Sequence, residues 1–136
     1  MPTDTVVVRY LNPPALEKPP GYSHVVDVRG NRLIFIAGQA GVDASGAVVG
    51  GDILGQAEQA FRNLSAALES VGCTAANLVK LTVFVRDMDK LADYRRVRDR
   101  FFNSVSPPVA PAVTLVEVSR LYSERLLIEI EGVAAA

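Results

Sequence analysis

The chain has 136 residues, of which 49% are hydrophobic and 21% charged, a size and balance typical of one globular domain with its own core. Its 14 basic and 15 acidic side chains give a formal net charge of −1, which argues against nucleic-acid binding because such binding depends on clustered positive charge. The only cysteine, Cys73, excludes an internal disulfide and a zinc site built from cysteines.

The sequence shows no targeting or membrane-spanning segment. Residues 1–4 contain no basic stretch, and no apolar run approaches the roughly 20 residues that span a bilayer. We therefore expect one domain over residues 1–136, located in the cytoplasm, that binds neither a membrane nor a nucleic acid.

The first third of the chain is predicted to form strands. Residues 6–9 form a short strand, and the proline-rich residues 12–21 form extended coil because each proline removes a backbone donor. Residues 24–28 and 32–37 are predicted as two further strands. Between them, Gly30 and Asn31 are typical of a two-residue hairpin turn.

A glycine-rich loop is predicted over residues 38–51, followed by a long helix. Asp52 can cap this helix, which ends at Gly72. One apolar stripe with three- and four-residue spacing runs along it, formed by Ile53, Ala57, Ala60, Phe61, Leu64, Leu68 and Val71. Gln56 is among the polar residues predicted to lie on the other faces.

The second half alternates strands with one helix. Residues 78–86, 112–118 and 126–133 have the apolar patterns of strands, and residues 89–103 have that of a helix. This helix carries four arginines, namely Arg95, Arg96, Arg98 and Arg100.

The order β-ββ-α-β-α-ββ predicts an α+β fold, one mixed sheet with two helices on one face. The other face mixes apolar residues with polar ones, namely Lys80, Thr82, Glu117, Glu129 and Glu131. A sheet face that mixes apolar and polar side chains is typical of a subunit interface with polar pockets. We therefore expect a homo-oligomer.

Four segments together resemble the RidA/YjgF family, the reactive intermediate deaminases, whose members are also described as L-PSP-like endoribonucleases. These segments are residues 34–39, 56–64, 79–88 and 128–131. The resemblance covers about residues 21–133. It implies a chorismate-mutase-like fold and a homotrimer in which three sheets form a central barrel, with small-molecule clefts between subunits.

The resemblance also implies a reaction and its residues. Family members hydrolyse imines and enamines, such as 2-aminoacrylate, to a 2-keto acid and ammonia, without a cofactor or a metal. Glu129 matches the glutamate that positions water, Tyr22 matches a residue that lines the pocket, and Gly38 matches the loop that approaches the ligand. Arg95 matches a polar residue on the pocket rim.

One position departs from the family pattern. Members with this activity carry an arginine that binds the substrate carboxylate, in a Pro-Ala-Arg sequence, whereas this chain has Pro111, Ala112 and Val113. Losing an arginine–carboxylate contact of about 3 kcal/mol weakens binding roughly a hundredfold. The departure predicts a retained cleft with an altered substrate, unless another cation such as Arg95 substitutes.

Three functions stay open at this stage. The first is hydrolysis of an imine or enamine that differs from the usual carboxylate-bearing substrate. The second is a non-catalytic trimer that binds a metabolite or regulates another enzyme. The third is an endoribonuclease, against which the net charge and the single histidine, His24, both argue. Arg95 could equally belong to a solvated helix surface.

Overall fold

In the computed structural model, residues 5–136 are described, and the expectation that residues 1–4 carry no targeting signal lies outside them. The six strands are β1 Val7–Leu11, β2 Val25–Arg29, β3 Leu33–Ala40, β4 Leu78–Val85, β5 Ala112–Glu117 and β6 Ile128–Ala135. The two helices are α1 Ile53–Glu69 and α2 Leu91–Phe102, and short 3₁₀ turns cover Ala75–Asn77 and Met88–Lys90.

The main sheet has four strands in the order β3-β6-β4-β5. β6 pairs antiparallel with β3 and with β4, while β4 and β5 are parallel. The α+β fold with a mixed sheet and two helices is therefore confirmed. The expected single sheet is divided, because β1 and β2 form a separate antiparallel ribbon. One isolated bridge, between Ser23 and Ala112, links the start of this ribbon to β5.

The hairpin predicted at Gly30 and Asn31 is wrong. β2 pairs with β1, and β3 pairs with β6. The backbone N–H groups of Asn31 and Arg32 donate to the carbonyl of Ala136 at 3.0 and 2.9 Å. The end of β6 therefore takes the pairing positions that a hairpin would have given to β2.

Helix α1 begins at the predicted cap and ends at Glu69, three residues before the predicted end at Gly72. The Asp52 side chain accepts a hydrogen bond from the Gly55 N–H at 2.9 Å, and Gly72 lies just beyond the helix with a φ of 75°. The apolar stripe is buried from Ile53 to Leu68, whereas Val71 lies beyond the helix and is half-buried. Gln56 is buried too, at 1% exposure. The prediction for Gln56 was wrong because backbone groups of the segment before β6 pair with its amide, which removes the penalty of burying it.

The core lies between the helices and one face of the sheet. Phe61 on α1 packs its ring against those of Tyr94 and Phe101 on α2, with centroids 6.4 and 4.8 Å away. From the sheet, the fully buried side chains that face the helices are Leu81, Val83, Val85, Ile128 and Ile130. None of the helices within residues 5–136 is both long enough and apolar enough to cross a membrane.

The opposite face of the sheet, which we call the open face, is uncovered. Phe35 is 76% exposed there and Leu33 is 64% exposed. A depression of about 510 Å³ lies on this face, lined by Phe35, Ile36, Ala37, Lys80, Thr82, Glu131, Gly132 and Val133. The Lys80 ammonium donates to the Thr114 hydroxyl at 2.8 Å. Its pKa is lowered by partial burial, against which nearby Glu131 acts.

Glu117 does not contribute to the open face as expected. Along β5, Val113 and Leu115 pack against the core, and Glu117 continues the same alternation. Its Oε1 accepts a hydrogen bond from the backbone N–H of Met88 at 3.0 Å. Glu117 therefore fixes the connection between β4 and α2.

Candidate functional site

Gly38 lies inside a strand, not in the loop that its sequence context predicted. β3 continues to Ala40, and its register with β6 shifts between Ile36 and Gln39. Ile36 lies opposite Gly132 and Gln39 opposite Ile130, so β3 has one residue more than β6 over this interval. The shift is a β-bulge, a feature that redirects side chains and is common beside functional sites.

The bulge places Gly38 directly against the side chain of Glu129. A Cβ atom built on Gly38 would overlap Oε1 and Cδ of Glu129 and lie 3.0 Å from its Cγ. Glu129 itself stands on β6, between Ala40 on β3 and Phe84 on β4, and is half-buried. The structure therefore brings together two of the residues implied by the family resemblance. We call Gly38 and Glu129 the acidic half-site.

Tyr22 lies near the edge of the main sheet opposite to β3, beside β5. The Ser23 N–H donates to the Pro111 carbonyl at 3.1 Å, and Ser23 forms a parallel bridge with Ala112. The Tyr22 ring makes an edge-to-face contact with His24, with centroids 5.6 Å apart. Residues 21–23 and 111–113 thus form one corner, which we call the tyrosine half-site.

Val113 packs partly against the hydrophobic core. It lies in register with the fully buried Leu81 on the helix-covered side of the sheet. An apolar residue therefore occupies the place at which the family resemblance implies a carboxylate-binding arginine.

The arginines of α2 fall into two environments. Arg95 is exposed and makes no side-chain hydrogen bond or ion pair with any residue in the described range. Arg98 is buried, at 9% exposure, and its guanidinium carbon lies 5.9 Å from the centroid of the Tyr94 ring. The sequence pattern alone predicts one cluster of four arginines. The signal for Arg98 was its position four residues after Tyr94, which puts both on the same face of the helix.

Arg98 reaches the tyrosine half-site. A Cβ on Gly21 would lie 2.5 Å from Nη2 of Arg98, and Gly21 has a φ of 80°, so a side chain is excluded there by contact and by backbone conformation. Arg98 donates from Nε and Nη2 to Oδ1 of Asp99, at 3.0 and 2.9 Å.

The two half-sites do not meet within one chain. Glu129 lies in line with Phe84 and Val116 across the sheet, while Val113 is three residues away along β5. Glu129 and Val113 are therefore about 10 Å apart across the strands and about 10 Å apart along them. They also point to opposite faces. A small molecule cannot contact both half-sites of the same copy.

The site residues are suited to acid–base chemistry and hydrogen bonding more than to metal binding. Within residues 5–136, no group of three or more histidine, cysteine, aspartate or glutamate side chains is close enough to hold a metal ion. A carboxylate against a bare backbone can orient a water molecule or exchange a proton with it. At the tyrosine half-site, polar groups can be bound by the phenol of Tyr22, the hydroxyl of Ser23 and the guanidinium of Arg98.

The chain resembles known proteins over almost its whole length. A family model described as Endoribonuclease L-PSP matches residues 14–136. A RutC family protein from Haemophilus influenzae is 40% identical over 113 residues, which cover 83% of this chain and 85% of the relative. A 2-iminobutanoate/2-iminopropanoate deaminase from Salmonella typhimurium is 34% identical over 102 residues, 75% of this chain and 78% of the relative.

A solved structure shares the fold. The Rid-family protein YyfB from Yersinia pestis, itself described as a protein of unknown function, superposes with a TM-score of 0.85 at 32% identity. The superposition covers 95% of this chain and 98% of that protein.

Proposed function

This chain belongs to the RidA/YjgF family, also described as Endoribonuclease L-PSP, and from that membership we propose that it hydrolyses a small imine or enamine to a carbonyl compound and ammonia. The reaction takes place in clefts between copies of the chain. Relatives named as 2-iminobutanoate/2-iminopropanoate deaminases support this reaction class.

The observation that carries the proposal is the contact between Gly38 and Glu129. The carboxylate lies where a side chain on residue 38 would have to be, so it is held against bare backbone at a bulge. A ligand can therefore approach the backbone N–H and C=O groups of β3 and the carboxylate together. Carboxylates placed in this way are effective at orienting an attacking water.

The proposed chemistry needs one water molecule and one proton carrier. Water adds to the carbon of the C=N bond, whose nitrogen is protonated, while Glu129 accepts a proton from that water, and a neutral carbinolamine forms. Glu129 then returns this proton to the nitrogen and takes up the proton of the carbinolamine hydroxyl as the C–N bond breaks. Ammonia leaves as the carbonyl forms, and the proton left on Glu129 passes to the ammonia. The atoms balance as imine plus water giving ketone plus ammonia, so no cofactor is required.

A complete site requires two copies of the chain. In our proposal the acidic half-site of one copy faces the tyrosine half-site of its neighbour, so that Tyr22 binds the substrate that Glu129 attacks with water. Because the two half-sites lie near opposite edges of the sheet, each copy can serve two neighbours. Such head-to-tail contacts close into a ring, here a homotrimer whose open faces pack around a common axis.

The exposed apolar residues support this assembly. Phe35 and Leu33 on β3 belong to the same open face as the depression lined by Lys80, Thr82 and Glu131. Burying a phenylalanine in a subunit interface contributes about 2–3 kcal/mol. The polar residues of the depression would then lie inside the ring.

The test is release of 2-keto acid from freshly generated 2-aminoacrylate or 2-iminobutanoate. We expect the wild type to exceed the rate in buffer, and Glu129→Gln to lower kcat about a hundredfold. Glu131→Gln, two residues along the same face, is the matched control and keeps its activity. Equal rates for the wild type and Glu129→Gln would remove Glu129 from the mechanism.

A wild type that is no faster than buffer would contradict hydrolysis of these substrates. If Val113→Arg then gained activity, the cleft would be intact but directed to another ligand. If neither protein were active and both bound keto acids, the protein would be a metabolite-binding protein without this activity.

A further inference from the structure

We propose that Arg98 binds the anionic group of the ligand, a small carboxylate, at the corner where residues 21–23 meet the start of β5. The inference rests on the proposed function only for the identity of the substrate class. It assigns a carboxylate-bearing substrate to a chain that has valine at position 113.

Arg98 differs from its neighbours on α2 in its surroundings. Its side chain is 11% exposed, whereas those of Arg96 and Arg100 are 64% and 65% exposed. A buried guanidinium loses its hydration and must be compensated by anions or acceptors. Since 11% of the side chain is still exposed, the group is not sealed from ligands.

The compensation that the chain provides is incomplete. The guanidinium has five N–H donors, and the two hydrogen bonds that it donates to Asp99 both go to a single oxygen, Oδ1. The Asp99 side chain is 55% exposed, so water screens its charge. Asp99 therefore holds the guanidinium in position while further donors are available to a ligand.

One buried hydroxyl at this corner, Ser23 Oγ in a residue 2% exposed, has no hydrogen-bond partner among residues 5–136. A second buried hydroxyl, Tyr94 Oη in a residue 0% exposed, interacts with the Arg98 guanidinium itself. Tyr94 lies beneath the Arg98 guanidinium, and Ser23 is two residues beyond Gly21, which the guanidinium contacts. Unpaired polar groups are rare in protein interiors, and a carboxylate beside Arg98 would supply acceptors at this corner.

The backbone conformation of residues 21–23 lets this cation reach the tyrosine half-site. Gly21 lacks a side chain and has a positive φ, which lets the guanidinium approach the backbone just before Tyr22. The Ser23 N–H fixes the same segment to Pro111, two residues before Val113. Arg98 thus reaches this corner from helix α2. The side chain that β5 itself places there, Val113, is apolar.

Arg95, which the family resemblance favoured, is the competing candidate. It is exposed and has no hydrogen bond or ion pair with the described residues that would hold it in one direction. A fixed cation loses less side-chain entropy on binding than a free one. This difference favours Arg98.

The test is calorimetric titration with 2-oxobutanoate and with its uncharged amide. We expect the wild type to prefer the carboxylate, and Arg98→Gln to weaken carboxylate binding about tenfold or more while leaving the amide unchanged. Arg98→Lys should retain part of the preference. Arg96→Gln, on the exposed face of the same helix, is the matched control and keeps wild-type affinities.

Several results would overturn the assignment. They are a wild type that does not bind 2-oxobutanoate, a folded Arg98→Gln variant with unchanged preference, and a loss of preference in Arg95→Gln instead. If Arg98→Gln does not fold, Asp99→Asn replaces it. Removing the competing carboxylate should then raise 2-oxobutanoate affinity about threefold or more, and unchanged affinity contradicts the proposal.

Binding and turnover are read separately, so the two proposals can fail independently. Carboxylate binding that depends on Arg98, without turnover, would keep the anion site and remove the hydrolase. Turnover that depends on Glu129 but not on Arg98 would keep the hydrolase and remove the anion site.

Discussion

Gly38 on β3 and Glu129 on β6 occupy adjoining space so tightly that no side chain fits on residue 38 while the glutamate keeps its place. The φ of Gly38 is not in the left-handed region. Its lack of a side chain is therefore required by contact with Glu129 and not by backbone conformation. The pair links a bulge in an outer strand to a carboxylate in the middle of the sheet.

Gly38→Ala should impair the reaction far more than the fold. The new Cβ would displace the end of a flexible side chain, so we expect the free energy of unfolding to change by less than about 1 kcal/mol. A displacement of about 1 Å at the carboxylate should lower kcat about a hundredfold. Denaturant unfolding and keto-acid release measure the two effects.

Gly41→Ala is the contrasting variant. Its Cβ would lie 2.7–2.8 Å from Cβ, Cγ and Cα of Gln56, part of the backbone and stem of α1, which cannot move aside. Overpacking of this kind costs about 1–3 kcal/mol. If Gly38→Ala destabilised the protein as much as Gly41→Ala does, Gly38 would be a packing residue and not part of a site.

Gln56 should prove to be a structural anchor for the strand that carries Glu129. Its Nε2 donates to the Arg125 carbonyl at 2.8 Å, and its Oε1 accepts from the Leu127 N–H at 2.7 Å. Gln56→Met keeps the volume but leaves both backbone groups unpaired, so we expect a loss of about 3 kcal/mol in denaturant unfolding. Gln59→Met, one turn away and half-buried, should cost less than about 1 kcal/mol. Equal losses would contradict the anchoring role.

The elements that depend on local chemistry could be predicted from the sequence. The Asp52 cap, the apolar stripe of α1 and the alternation of β4 each reflect interactions between residues a few positions apart. The bulge at Gly38 could not be predicted, because a glycine before a glycine-rich loop is equally typical of a strand end. Pairing of β3 with β6 joins residues about a hundred positions apart, and no local pattern specifies it.

The candidate site was predictable in its residues but not in its arrangement. The resemblance implied Glu129, Gly38, Tyr22, Arg95 and Val113, yet the separation into two half-sites depends on the strand order. The burial of Arg98 was readable from its spacing to Tyr94, but arginine is rarely buried, so the pattern favoured a solvated helix. Roles in binding and catalysis stay predictions for all of these residues.

Phe35 should control the assembly. It is 76% exposed on the open face, and Phe35→Glu would bring a charge into each contact between copies. We expect light scattering to give about three times the 14.6 kDa chain mass for the wild type and the mass of one chain for Phe35→Glu, with loss of turnover. Phe35→Leu keeps an apolar surface and should remain a trimer. A wild type that is monomeric at micromolar concentration would contradict sites shared between copies.

Tyr94 should make the protein less stable in alkali. Burial raises the pKa of Tyr94 from 10.0 to about 12, an effect that nearby Arg98 partly offsets. The folded state therefore keeps the phenol proton in a range where the unfolded chain loses it, so this contribution is complete below about pH 10 and falls as the pH rises toward 12. The loss amounts to roughly 2–3 kcal/mol over that interval. Denaturant unfolding across this range should show it in the wild type but not in Tyr94→Phe, in which the other titrating groups are unchanged. Parallel stability curves for the two proteins would mean that the hydroxyl of Tyr94 is accessible to water.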